Sequence, residues 1–373
     1  MRNVILAVVI ALSAAAVWYV MRPTPVANND LVIAVAGPMT GKESTFGEQM
    51  RRGAEQAVKD INAAGGIMGR QVRLEVGDDA CDEKQAVPLA NQLANKGVKF
   101  VAGHYCSSSS IPASSVYQDE GILQISPAST NPLFTERGLS NIFRLCGRDD
   151  QQGNVAGNFL ADKFSDKRIA IVHDKKTYSQ GLAEETKKQL NARGITEVVF
   201  DTINPGERDY SAIVTKLKAA EIDVLYYGGY HAEAGLIVRQ MREQGMATRL
   251  IGGDALVTQE FWSITGAAGE GTMMTFGPDP RKDPAVTALV EAFRKQNWEP
   301  EGYTLYTYAA VQVYKQAVER AGSSETAKVA QVLKANTFTS VMGDASFDAK
   351  GDNKAPGYVF YEWRAGKYDY TAM

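Results

Sequence analysis

From Leu31 onward, short apolar runs alternate with longer stretches in which apolar residues recur at helical spacing. LVIAVA (31–36) is followed by Phe46 to Ala64, where Met50, Ala54, Ala57, Val58 and Ile61 share one helical face and Gly65 with Gly66 supplies a stop. The pattern predicts a strand and then a helix. It recurs: VRLEV precedes Glu83 to Lys96, VKFVAG precedes Ser108 to Glu120, and GILQIS precedes a turn-rich stretch ending near Arg148. A second series pairs RIAIVHD with Tyr178 to Arg193, EVVF with Glu207 to Ala220, and DVLYYGG with His231 to Gln244, then ends on RLIGG. Strands separated by helical stretches of this length predict parallel sheets covered on both faces, the doubly wound α/β class. Two series predict two α/β domains. GRDDQQG (147–153) is the expected first crossing between them and TMMTFGPDP (272–280) the second, with helices over Asp283 to Asn297 and Tyr303 to Ala321 returning to the first domain.

The N-terminus breaks this pattern. Val4 to Met21 is apolar apart from Ser13 and is followed by polar Arg22 to Asp30, which predicts an export signal or a retained N-terminal anchor over residues 1–27. Ala14 to Ala16 and Ala27 are candidate cleavage positions, whereas Trp18, Tyr19 and Arg22 suit an anchor. With Lys+Arg 40 against Asp+Glu 43 and no basic run, the chain lacks a nucleic-acid footprint. Export also changes how Cys81, Cys106 and Cys146 are read, because an oxidising compartment favours bridges. Cys81 and Cys106 both follow strand-like runs, so neighbouring parallel strands are expected to bring them together, leaving Cys146 as a free thiol.

Open α/β sheets bind ligands at the carboxyl ends of their strands. GPMTGKEST, after the first strand, resembles a phosphate loop but is one residue short, and Glu43 stands where a magnesium-binding Ser or Thr belongs. GHYCSSSSIP (103–112) places four serines after the third strand without the glycine pattern of a nucleophile elbow. His104, His173 and His231 all fall at strand ends, which leaves open an exported serine hydrolase or a metal site. A third reading is that the serines open a helix whose free N–H groups hold a carboxylate, with Thr130 adding a hydroxyl. The second domain offers Tyr178, Tyr230 and Asp254 at its strand ends. An anion clamp facing a carboxylate and aromatic rings describes a site for a zwitterionic amino acid, with Phe46, Tyr105 and Tyr303 available around its side chain.

Here the sequence resembles the leucine/isoleucine/valine-binding proteins, the extracytoplasmic receptors of branched-chain amino acid ABC transporters, across roughly residues 31 to 365. NAAGGIMGRQVRLEVGDDACDEKQAV, GHYCSSSSIPAS, YQDEGILQISPAST, RIAIVHDKKTY, DVLYYGGYH and VMGDASFDAKGD carry the likeness. The resemblance implies two lobes joined by three crossings, residues 28–148 with about 278–356 and residues 149–277 with about 357–373, enclosing the ligand without catalysis or cofactor. It implies that Ser107 and Thr130, with backbone around Ala128 and Ser129, hold the ligand's carboxylate and ammonium. Tyr178 and Tyr230 then supply an aromatic wall and an ammonium contact from the second lobe, and Phe46, Tyr105 and Tyr303 surround the side chain. Cys81 and Cys106 match the family disulfide. Asp254 stands where branched-chain receptors usually have Glu, and Tyr105 where they often have Leu, so a ligand set shifted within the apolar amino acids is expected. A receptor for another solute, such as an amide, urea or an aromatic acid, is the rival binding module. The implied partner is an ABC permease, and the implied form a periplasmic monomer.

Overall fold

The computed structural model describes residues 30–355 and 357–371. The segment read as an export signal or anchor lies outside these residues. None of the described helices is long and apolar enough to cross a membrane.

Two sheets organise the chain. The first has strand order β2-β1-β3-β4-β5, all parallel: β1 Leu31–Gly37, β2 Val72–Asp78, β3 Phe100–Gly103, β4 Leu123–Ser126 and β5 Ile142–Arg144. β1, β3 and β4 are almost wholly buried, as continuous apolar runs in a parallel sheet require. Helices α1 Ser44–Ala63, α2 Glu83–Asn95 and α3 Ser107–Asp119 connect them. The short helix α4 Leu133–Glu136 precedes β5, and α5 Asp149–Lys163 follows it. The second sheet is built on β6 Ile169–His173, β7 Val199–Thr202, β8 Val224–Gly228, β9 Arg249–Gly252 and β10 Met273–Phe276, in the order β10-β9-β8-β6-β7. Between these strands run α6 Thr177–Ala192, α7 Ser211–Ala219, α8 His231–Glu243 and α9 Gln259–Thr265.

The chain then returns to the first lobe through α10 Thr287–Arg294 and α11 Thr304–Ala321. α11 lies so close to α1 that a Cβ added at Gly53 would sit 2.1 Å from the carbonyl oxygen of Thr304. After α12 Thr326–Ala335 and the hairpin β11 Thr337–Ser340 with β12 Gly343–Ser346, the chain crosses back. β13 Val359–Arg364 and β14 Lys367–Tyr370 extend the second sheet antiparallel beside β10.

Four expectations are corrected. Cys81 and Cys106 are disulfide-bonded with Cα atoms 5.5 Å apart, but their strands are not neighbours, because β1 lies between β2 and β3. Both cysteines sit three residues beyond their strand ends, where the loops bend over the end of β1. The polar GRDDQQG stretch is mostly the first turn of α5, so the first crossing is confined to the residues just before Asp149. Likewise Met273–Phe276 is a buried central strand, and the second crossing begins at Gly277. The second sheet is mixed where a parallel one was expected.

Candidate functional site

The order of each sheet reverses beside its first strand, so the loops after β1 and β3 face those after β6, β8 and β9. Asp254 occupies the centre. It follows β9 directly, is 3% exposed, and accepts hydrogen bonds from Tyr178 Oη (2.8 Å) and Gln152 Nε2 (3.0 Å) on Oδ1, and from Tyr303 Oη on Oδ2. Gly253 makes this approach possible: a Cβ there would meet the Tyr178 hydroxyl at 2.6 Å and Leu182 at 2.5 Å. Burial raises the Asp254 carboxyl above its ordinary range, and the donors from Tyr303, Tyr178 and Gln152 oppose that rise. Tyr178, Gln152 and Asp254 belong to elements around the second sheet, whereas Tyr303 arrives from the first lobe.

Across from Asp254, α3 begins at Ser107. Its N-cap, Cys106, contributes no side-chain cap, and the first regular bonds of the helix run from the N–H groups of Ser109 and Ser110 to Cys106 O. The N–H groups of Ser107 and Ser108 therefore stand at the positive end of the helix without helical acceptors. Ser107 Oγ accepts from Asn131 N at 3.3 Å. Thr130 is buried and its hydroxyl makes no close hydrogen bond. Ser129 behaves differently: its hydroxyl donates to Tyr105 O at 2.9 Å and pairs with Ser110 Oγ at 2.7 Å, bracing the turn from within.

A small cavity of about 10 Å³ is lined by Tyr105, Ser107, Ala128, Tyr178, Tyr230 and Asp254. All six were expected site residues. The other four surround them. Phe46 stacks on Tyr105 with ring centroids 4.5 Å apart, Tyr303 meets Tyr105 edge-on at 5.3 Å, and Ser129 and Thr130 follow Ala128 in the same buried turn. Tyr303 also lines a second small void beyond Asp254, with Cys146, Phe276 and Tyr306. Cys146 is a free buried thiol.

The strand-end histidines are occupied otherwise. His104 Nδ1 lies 2.5 Å from Asp79 Oδ2 and its Nε2 2.8 Å from Tyr117 Oη, while His173 Nδ1 accepts from Lys175 N at 3.1 Å. His231 packs edge-on against Phe46.

Sequence reasoning missed three groups. Gln152 and Asp149 were read as parts of a crossing, yet both are fully buried in the first turn of α5. The Asp149 carboxyl makes no close hydrogen bond, and only the Thr130 hydroxyl beside it opposes the effect of burial as a donor. Burial, then the charge of Asp254, pushes the Asp149 carboxyl well above the usual range. The third group is the loop after β1: Lys42 pairs with Glu233 at 3.2 Å and Glu43 with Lys176 at 2.8 Å, both across the cleft. The Lys176 ammonium also lies over the Tyr230 ring at 4.8 Å. It separates the inner cavity from a wider depression of about 420 Å³ lined by Cys81, Ser108, Asp174, Lys176 and Thr177.

The periplasmic binding protein family profile matches residues 30–367. "Leu/Ile/Val-binding protein homolog 1" of Brucella melitensis is 52% identical over 345 residues, covering 91% of this chain and 93% of that protein. A leucine-binding protein of Thermotoga maritima, LivK, superimposes with a TM-score of 0.84 at 27% identity, covering 92% of this chain and 98% of the other. The branched-chain amino acid transporter substrate-binding protein LivJ of Streptococcus pneumoniae, solved in complex with isoleucine, gives 0.83 at 25% identity over 91% and 98%. The profile match and the identity with these relatives agree, and the chain belongs to the family of periplasmic binding proteins.

Proposed function

We propose that this protein is an exported solute receptor that closes its two lobes on a branched-chain or related apolar L-amino acid and presents the closed form to an ABC permease. One observation carries the ligand class: a dry carboxylate, Asp254, faces the open start of α3 at Ser107 across an aromatic-lined cavity. An ammonium leaving water needs a carboxylate and further acceptors, and a ligand carboxylate needs donors. The two sides of the cleft offer these complementary partners around one cavity. Ser107, Thr130 and the backbone at Ala128 and Ser129 take the carboxylate end, and Asp254 with Tyr178 and Tyr230 takes the ammonium end. Phe46, Tyr105 and Tyr303 enclose the side chain.

The lobes in this reading are residues 28–148 with about 278–356, and residues 149–277 with about 357–373. The relatives' names, Leu/Ile/Val-binding and leucine-binding, support the same ligands. The receptor acts in the periplasm as a monomer, without a cofactor. Binding is the whole of its activity: His104, which a serine hydrolase would need beside its nucleophile, is committed to Asp79 and Tyr117.

Calorimetry with L-leucine, L-isoleucine, L-valine, urea, a short amide and benzoate tests the reading. The amino acids are expected to bind and the others not. Asp254→Asn is expected to cost at least about 3 kcal/mol of amino-acid binding, since it leaves a buried ammonium unpaired. An Asn variant that binds leucine as well as the parent, or a parent that prefers urea or benzoate, would overturn it.

A further inference from the structure

We infer that Gln152 is a positioning residue for ligand capture: from the first turn of α5 it fixes the Asp254 carboxylate in the orientation that receives the ligand's ammonium, an inference that rests on the reading of Asp254 given above. Gln152 is fully buried and does not line the ligand cavity, so it reaches the ligand only through Asp254. Its amide nitrogen lies 3.0 Å from Asp254 Oδ1, 2.9 Å from Thr275 Oγ1 and 3.2 Å from Thr275 O. One N–H therefore serves the carboxylate and the other is anchored on the central strand β10. Turning the amide over would set Oε1 against the Asp254 carboxylate and the Thr275 carbonyl, neither of which can donate, so this orientation is the one the environment favours. In that orientation Oε1 is buried and has no partner. An amide left half satisfied in a dry core is a cost, and what it secures is a donor aimed at Asp254.

The division between lobes gives Gln152 its distinct part. Tyr303, the other side's donor to Asp254, comes from the first lobe and is delivered by closure. Gln152, Tyr178 and Thr275 share the second lobe with Asp254, so they hold the carboxylate while the cleft is still open. Tyr178 and Gln152 both donate to Oδ1, which leaves Oδ2 turned toward the incoming partner. Without Gln152 the carboxyl is held in the open cleft by Tyr178 alone. The titratable groups coupled to Asp254 are Asp149 on the helix of Gln152, Tyr178, Tyr226, Tyr230 and Tyr358 from the second lobe, and Tyr105, Tyr303, Tyr306 and Cys146 from the first. All of them are unchanged in a Gln152 variant, so a difference from the parent's pH profile belongs to position 152.

The test is the dissociation constant for L-leucine between pH 5.5 and 8.5 in the parent, Gln152→Leu and Gln152→Glu. Removing the donor in Gln152→Leu is expected to raise it by roughly 10- to 100-fold at pH 7.5, the range for a hydrogen bond to a charged group. In Gln152→Glu the new carboxyl faces Asp254, and two acids at that distance share one proton. Its affinity is therefore expected to improve as pH falls from 8.5 to 6, restoring a donor to Asp254, while the parent's affinity does not improve. A purely structural role would give no such opposite slope. Gln152→Leu within about threefold of the parent, or Gln152→Glu following the parent's pH profile, overturns the inference. If Gln152→Leu does not fold, the slope of Gln152→Glu decides alone. A parent that binds no leucine, isoleucine or valine instead overturns the ligand reading.

Discussion

Asp149 shows how a single buried carboxyl beside the site makes stability depend on pH. It opens α5, where a helix dipole favours a carboxylate. Complete burial and the nearby charge of Asp254 outweigh that, and raise its carboxyl well above the ordinary range. The folded protein then keeps a proton on Asp149 that the unfolded chain releases near pH 4. Because the native state binds more protons, stability falls as pH rises from there through the folded value. Asp149→Asn removes this dependence. Its melting temperature is expected to match the parent's at pH 4 and to exceed it increasingly toward pH 8; a parent that is the more stable at pH 8 would mean an ionised, partnered Asp149. This carboxyl and Gln152 were not legible in the sequence, since DDQQ in a polar stretch reads as solvated chain. Asp254, Tyr178, Tyr230 and Ser107 were legible because each lies within five residues of the carboxyl end of an apolar strand, where a doubly wound sheet places its ligands. Thr130 was found by its turn, whereas the inward use of Ser129's hydroxyl depends on rotamers that spacing does not encode.

At the level of elements, alternation of buried runs and amphipathic stretches sufficed for the long strands and helices. It failed for β5, of three residues, for the buried β10 and β13 beside the late crossings, and for β11, β12 and β14, where exposed polar positions interrupt the run. Those are the pieces on which the crossings depend. Arg144 at the end of β5 is fully buried and donates to Asp352 Oδ1 at 2.6 Å, Thr135 Oγ1 at 2.7 Å and Ser129 O at 2.8 Å. Arg148, just before α5, donates to the other oxygen of Asp352 at 2.7 Å. One carboxylate thus ties the first crossing to the last, and through Ser129 O it also sets the turn that carries Ala128 and Thr130. Asp352→Asn leaves a buried guanidinium without its counter-charge, at an expected cost of about 3 to 5 kcal/mol. Denaturant unfolding monitored by circular dichroism measures it. A loss under about 1 kcal/mol would place the weight of the crossing on Thr135 and the backbone instead.

For the whole molecule, the loop that failed as a phosphate site acquires a role only when the two lobes are seen together. Lys42 and Glu43 are adjacent and opposite in charge, and each meets the opposite charge on the far lobe, in Glu233 and Lys176. Such reciprocal pairing fixes the register of closure, because sliding one lobe past the other would set like charges together. Glu43 and Glu233 are 5% and 2% exposed, so both pay desolvation that only the closed state repays. Lys176, held by Glu43, also covers Tyr230 at the cavity wall. Opening must break these contacts, whereas ligand entry into an already open cleft does not involve them. Their loss is therefore expected in dissociation more than in association. In stopped-flow measurements with L-leucine, Glu43→Gln and Lys176→Met should each speed dissociation by roughly 10-fold and leave the association rate within about threefold, as for one charged hydrogen bond. The double variant should be little faster than either single one, since both changes remove the same contact. Independent, multiplying effects would show that Glu43 and Lys176 act separately and that the pair does not clasp the cleft.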